Sequence, residues 1–248
     1  SKPWQTLLKS DEIERIDQLT RDYRKRLKQH TPTSIRKELE RIIIEFSWKS
    51  SEIEGNTYSL LDTERLIKER HEAPGKSHEE AIMILNHKKA LEFVWAHPKD
   101  YRKLSLRTIE DIHSLIVHDL AIGKGLRKRP VGIVGTAYRP HDTIYQIREA
   151  VEALCHLVNQ LSHPLLSALA AVAGLSYIQP FEDGNKRTSR LIANAILIAY
   201  DYCPLSYRSV DEVEYKKAMI LFYEQHTLAP FKALFVQQYE EAVKNYFL

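Results

Sequence analysis

The sequence predicts an all-α fold: a helical core with one small β-hairpin flap, preceded by a region of N-terminal helices. Three observations carry this. Apolar residues recur at helical spacing through most of the chain. Glycine is scarce, with 8 in 248 residues, and four of them gather between positions 123 and 146. Two runs that are apolar on almost every side, Leu165–Ile178 and "RLIANAILIAY" from Arg190, flank a short polar loop. Helices with no polar face belong inside a core, so the loop between them joins two buried elements.

The elements follow in order. Ile13, Ile16, Leu19, Tyr23 and Leu27 share one face of a helix over Ser10–His30. "TPTS" interrupts it. Leu39, Ile42, Ile43, Phe46 and Ile53 continue on a second amphipathic helix that stops at Gly55-Asn56. Ser59 with Asp62 caps a short helix through Arg70, and "HEAPGKS" is a loop. Ser77 with Glu80 caps the next helix, which runs to Ala96 and ends before Pro98. Leu106–Asp119 is amphipathic, and Ile147–Leu161 is helical. Between them, residues 123–146 hold "VGIV" and "TAY" among glycines and prolines, the pattern of a β-hairpin flap. After the two buried helices, Glu212–Tyr246 forms one or two closing helices broken near Pro230. Three regions result: 1–98, N-terminal helices; 99–205, the core; and 206–248, closing helices of the same globular unit.

Composition narrows the function classes. Lys+Arg 36 against Asp+Glu 33 leaves a net charge of +3, too even for a nucleic-acid footprint. Cys155 and Cys203 form no CxxC pair or disulfide framework, which suits a reducing compartment. The 11 histidines show no zinc spacing. No apolar run is long enough for a membrane span, and the opening residues do not read as a signal peptide, so a cytoplasmic protein is expected. "GKGLRKRP" lacks the P-loop pattern and reads as a solvated approach to the flap, with a basic patch for an acidic partner as the alternative.

The polar loop, "IQPFEDGNKRTSR" over 178–190, is the candidate site. Lys186, Arg187 and Arg190 open the helix that follows Gly184-Asn185. The helix dipole is positive there and opposes each cation by ~0.3–1 kcal/mol. Free amides at a helix start already favour an anion, and added cations suit a phosphate. Asp183 could hold a metal ion bridging that phosphate. The competing reading pairs these cations with acids elsewhere in the fold.

"QPFEDGNKRTSR" resembles the Fic-family signature, His-Pro-Phe-x-Asp/Glu-Gly-Asn-Gly/Lys-Arg-x-x-Arg, at every constrained position except the first. "SSEIEGN", residues 50–56, resembles the family's inhibitory motif, filled by Ser50, Glu54 and Gly55. The resemblance implies a protein that transfers AMP from ATP to a hydroxyl of a target protein, with Mg²⁺. It implies that Asp183 holds the metal. Gly184, Asn185, Lys186 and the following amides would form an anion hole, with Arg187 on the phosphates and Arg190 on the terminal one. Glu54 would pair with Arg190 in the unliganded protein. Phe181 would anchor the loop, Glu182 would face solvent, and Thr188 and Ser189 fall at unconstrained positions. Lys186 also occurs in Doc-type kinases, whose motif lacks the last arginine; Arg190 favours AMP transfer.

The departure is Gln179, where the family places its histidine base. A neutral amide does not titrate, and loss of a general base costs ~10²–10⁴ in rate. His163 and His141 stand as substitute bases. A silent nucleotide-sensing module, a Doc-like kinase and a scaffold with a relic motif are the alternatives to a slow transferase. The expected partner is a target protein docking at the 130–146 flap, or the chain itself through self-modification. A homodimer is compatible with the sequence, and neither a membrane nor a specific nucleic acid is expected.

Overall fold

The structure, a computed structural model, describes Trp4 and residues 6–248. Among the described residues, ten α-helices run in the order α1 (Ser10–Gln29), α2 (Pro32–Ile53), α3 (Leu60–Glu69), α4 (His78–Ala96), α5 (Leu106–Ile116), α6 (Ile144–Gln160), α7 (Pro164–Ile178), α8 (Asn185–Ala199), α9 (Glu212–Gln225) and α10 (Ala229–Asn245). A short 3₁₀ turn, Pro98–Tyr101, separates α4 from α5. None of these helices is long and apolar enough to cross a membrane.

The caps are local and legible. Thr31 accepts from the Ser34 amide with Pro32 in the first turn, so "TPTS" starts α2 as well as ending α1. Ser59–Asp62 and Ser77–Glu80 are reciprocal capping boxes at α3 and α4. The closing helices break at His226, which adopts a left-handed conformation, and Pro230 lies in the first turn of α10.

α7 and α8 pack on each other more extensively than any other helix pair. Twelve of the 15 residues of α7 and 14 of the 15 of α8 are buried. α6 lies on α7, α5 and the 3₁₀ turn on α8, and α4 on both α5 and α8. α2 packs on α4 and reaches α8, which brings the end of α2 to the start of α8. One hydrophobic cluster extends from Leu8 to Phe247. α1 and α10 close it, with Thr20 and Tyr239 hydroxyls 2.7 Å apart and Arg26 donating to the Phe247 carbonyl at 3.1 Å.

The expected β-hairpin is absent: no strand occurs among the described residues, and 123–143 is irregular apart from short turns. The reason is where its hydrogen-bonding groups go. Pro130 and Pro140 have no amide proton to offer a ladder. The Ala137 amide donates to Glu224 on α9, and the carbonyls of Arg129 and His141 accept from the Arg127 guanidinium. A single turn survives at Val134-Gly135, with Gly135 at φ +87° and Val134 97% exposed. Ile133 is buried, and the Tyr138 hydroxyl donates to the Tyr177 carbonyl. The segment is therefore a flap held by side chains and by the helices beneath it. α6 also begins three residues earlier than the sequence pattern suggests, at Ile144, because Thr143 caps it. α5 ends at Ile116, short of Asp119.

Candidate functional site

The loop between α7 and α8 is built by its own side chains. Gln179 closes α7 in a left-handed conformation, φ +50° and ψ +61°, and turns the chain. Phe181 is fully buried and stacks on His113 of α5, with ring centroids 3.7 Å apart and planes 10° apart. His113 Nε2 donates to the Asp183 carbonyl at 3.0 Å. Burial in this stack pushes its pKa down to about 4, so the ring is neutral near pH 7. The Asn185 side chain accepts from the Phe181 amide and donates to the Phe181 carbonyl, both at 2.8 Å. Both its polar atoms thus help shape the loop, and the second proton of its Nδ2, with the backbone amide, is what Asn185 has left for an anion.

Gly184 sits at φ +77°, and a Cβ there would come within 3.1 Å of Val117. Glycine meets both demands. α8 begins at the next residue with no side-chain cap and no acid in its first turn. Its first intrahelical bond runs from the Thr188 amide to the Gly184 carbonyl. The amides of Asn185, Lys186 and Arg187 therefore have no carbonyl partner within the helix and face the loop end.

Around these amides stand the cations. Arg187 is 2% exposed; one of its nitrogens lies 3.2 Å from Asp183, and its Nη1 is buried with no partner. Burial lowers its pKa, with Asp183 and Glu54 pulling the other way. Arg190 is wholly buried. Its Nε donates to Ser50 Oγ at 2.9 Å, and its Nη2 to the Ser50 carbonyl at 2.8 Å and to Glu54 Oε1 at 2.9 Å. Its Nη1 is also buried without a partner. Burial opposes this charge, yet Glu54 and then Tyr215 outweigh it and raise the pKa. Lys186 is partly exposed, with Nζ 3.9 Å from the other Glu54 oxygen. Glu54 follows α2, and Gly55 at φ +93° turns the chain away behind it. Ser50, Glu54, Lys186 and Arg190 are thus one cluster joining α2 to α8.

A cleft of about 170 Å³ opens over the loop, lined by Gln179, Asp183, Asn185, Lys186, Arg187 and Glu54 on one side and Val131–Val134 on the other. It adjoins a larger, mainly apolar cavity of about 460 Å³ under the flap, between Ile133, Gly135, Tyr215, Met219, Ile220 and Tyr223. Flap, α2 and α9 thereby supply an apolar chamber beside a cationic one.

Gln179 does not point an acid–base group into the cleft. Its Nε2 donates to the Ser176 carbonyl at 2.6 Å, back onto its own helix. His163 caps the opposite end of α7, where it meets Asp17 at 3.2 Å. That end is roughly 22 Å away along the helix axis, which removes His163 as a substitute base. His141 is exposed and does not line the cleft, although its carbonyl lies beside that of Gln179 on the same guanidinium. Glu182 is exposed and accepts from the Gly123 amide. Thr188 and Ser189 are both buried; the Ser189 hydroxyl meets Ser176 of α7 at 2.9 Å, so these unconstrained positions serve the α7–α8 packing.

Two residues of the site carry no sequence signal. Arg127, within "GKGLRKRP", is 1% exposed and not part of a solvated basic patch. Its Nε donates to the Gln179 carbonyl at 2.6 Å, and its amide donates to the Pro180 carbonyl at 3.0 Å. His87 on α4 is fully buried against Ser50.

Buried helices frame an amide-rich, cationic loop under a flap, an arrangement whose free amides and guanidinium groups suit an anion. Residues 103–197 match the Fic/DOC family model, and the chain carries a Fic domain over that span. A protein adenylyltransferase Fic from Nematostella vectensis is 30% identical over 174 residues, an alignment covering 68% of this chain and 40% of that relative. The chain thus spans well under half the length of this curated relative. Among solved structures, Fic-1 from C. elegans superposes with a TM-score of 0.78 at 22% identity, covering 94% of this chain and 69% of that one. A Fic-domain signaling protein from Bacteroides thetaiotaomicron gives 0.79 at 22% identity, covering 92% and 94%. At these identities the two structures speak for the fold.

Proposed function

We propose that this protein binds ATP with Mg²⁺ at the α7–α8 loop in the manner of a protein adenylyltransferase, held in check by Glu54 and deficient in transfer because Gln179 stands where a base is required. The observation that carries the binding site is the pair of buried guanidinium nitrogens, Nη1 of Arg187 and of Arg190, that make no hydrogen bond, the Arg190 guanidinium lying over the Tyr215 ring. An unpaired buried charged donor is costly, and an oxyanion relieves that cost. The apolar chamber beside them suits a flat base, and the protein adenylyltransferase relatives support ATP as the ligand.

The metal assignment fits the donor set in one form only. No cluster of three or more acidic, histidine or cysteine side chains exists among the described residues. Asp183 is a single carboxylate, 66% exposed at its side chain. That suits Mg²⁺ arriving with nucleotide phosphates rather than a resident ion. When bound there, the metal would neutralise phosphate charge. Arg187 and the first-turn amides of α8 bind and orient the phosphates, and Arg190 receives the terminal one once Glu54 withdraws. The flap excludes water from the base-binding chamber and offers its exposed tip, Val134, to a target protein. No imidazole lines the cleft near Gln179, and its acidic groups, Glu54, Glu182 and Asp183, are weaker bases than a histidine, so the site holds its nucleotide without efficient transfer.

The test is calorimetry. Arg187→Ala is expected to lower ATP affinity at least about tenfold, since a charged hydrogen bond contributes about 1.5–3 kcal/mol, while Lys128→Ala leaves it unchanged. Equal affinities in wild type and Arg187→Ala would end this reading. A second reading, a nucleotide sensor without transfer, is favoured by one observation: the Gln179 amide is committed to Ser176. Intact-mass measurement after incubation with ATP and Mg²⁺ separates the two, because only a transferase adds an adenylyl group.

A further inference from the structure

Arg190 has three hydrogen bonds, and only one of them goes to Glu54. The other two go to Ser50, one turn earlier on α2. The Ser50 hydroxyl has a single proton, and its direction is settled by His87. His87 Nδ1 lies 2.8 Å from the Met83 carbonyl, which can only accept, so Nδ1 carries the proton. Nε2 of the neutral ring is then an acceptor, and it lies 2.9 Å from Ser50 Oγ. Ser50 donates to His87, which leaves its lone pairs for Arg190 Nε. Neutrality is enforced by burial, then by the charges of Arg187 and Arg190, which hold the His87 pKa down to about 3. The ring itself is fixed by an edge-to-face contact with Phe46, centroids 5.7 Å apart.

We propose that His87 is a positioning residue: it orients Ser50, and Ser50 holds Arg190 in its phosphate-receiving orientation whether or not Glu54 is in place. The inhibitory segment then contains two opposed parts. Glu54 occupies one nitrogen of the guanidinium, while Ser50 presents the same guanidinium for use. A phosphate displacing Glu54 meets an arginine that needs no reorientation, so little ordering cost accompanies binding. The inference rests on the nucleotide reading only for its ligand arm.

Two measurements test it. In the unliganded protein, the side-chain Nε–H of Arg190, followed by nuclear magnetic resonance, is expected to be protected from exchange in wild type. Protection is expected to persist in Glu54→Gly and to collapse in Ser50→Ala. Loss of protection in Glu54→Gly would overturn the proposal, since Glu54 would then be what holds Arg190. This arm needs no nucleotide, so failure of ATP binding would remove the proposed function and leave this inference to be decided on its own. The second arm is calorimetry in a Glu54→Gly background. His87→Phe and Ser50→Ala are each expected to weaken ATP about tenfold, the scale of one charged hydrogen bond, and AMP less than about twofold. The double variant is expected to bind no more weakly than either single one, because both cut the same chain. His87→Gln, whose amide can donate to Met83 and accept from Ser50, is expected to restore most of the affinity. Equal losses for ATP and AMP, or additive losses in the double variant, would show that His87 merely fills the core. Should His87→Phe fail to fold, the Ser50→Ala and exchange results still decide.

Discussion

At the scale of single residues, the proposed function divides the control of the site between Gln179 and Glu54. Gln179→His supplies a titratable group, and Glu54→Gly frees Nη2 of Arg190. The double variant is expected to raise adenylyl transfer, to itself or to a target, by ~10²–10⁴ over the present sequence, measured with labelled ATP. Its rate should rise with pH through the imidazole pKa and level off above it, because a base works when unprotonated. Robust transfer by wild type, retained in Gln179→Ala, would place the base elsewhere. The residues of this loop were legible in the sequence because they act within a dozen positions of one another. His87 and Arg127 were not, because their partners lie 37 and 52 residues away and isolated basic residues carry no spacing. Asn185 shows the converse. Its identity was legible, but its bonds to Phe181 mark it as a scaffold of the loop.

At the scale of elements, the caps made the helices readable, since each serine cap and its carboxylate partner stand three residues apart. The flap failed to read as drawn because strand pairing is a long-range choice. Glu224 and Arg127 claim backbone groups that a ladder would need. Gly184 links the loop to α8 and has a testable cost. Gly184→Ala puts a Cβ 3.1 Å from Val117 at positive φ and is expected to destabilise the protein by roughly 1–3 kcal/mol. ATP affinity should fall along with the melting temperature. A melting temperature equal to wild type would show that the loop relaxes. α7 carries the packing: Leu169→Ala, at 1% exposure, is expected to cost about 2–5 kcal/mol in urea unfolding.

At the scale of the whole molecule, the helical class was plain from periodicity, whereas the meeting of α2 with α8 was not, because it depends on tertiary packing. Two buried neutral histidines tie stability to pH. The pKa of His87 is depressed to about 3 and that of His113 to about 4, so the unfolded chain binds protons first as pH falls. The stability they confer is complete above the unfolded value near 6.5 and declines as pH drops toward 4, at up to about 1.4 kcal/mol per pH unit for each ring. Thermal melts at stepped pH should show this loss, and His87→Phe should lessen it by removing one of the two titrating rings. Arg127 has a further consequence. By gripping the carbonyls of Arg129 and His141 together with that of Gln179, it ties both ends of the flap to the core. Limited proteolysis at the exposed Val134 tip should therefore yield two fragments that elute as one particle and separate only in denaturant. Chain continuity across the flap is dispensable for its attachment, and the tip can be remodelled or interrupted without letting the two halves go.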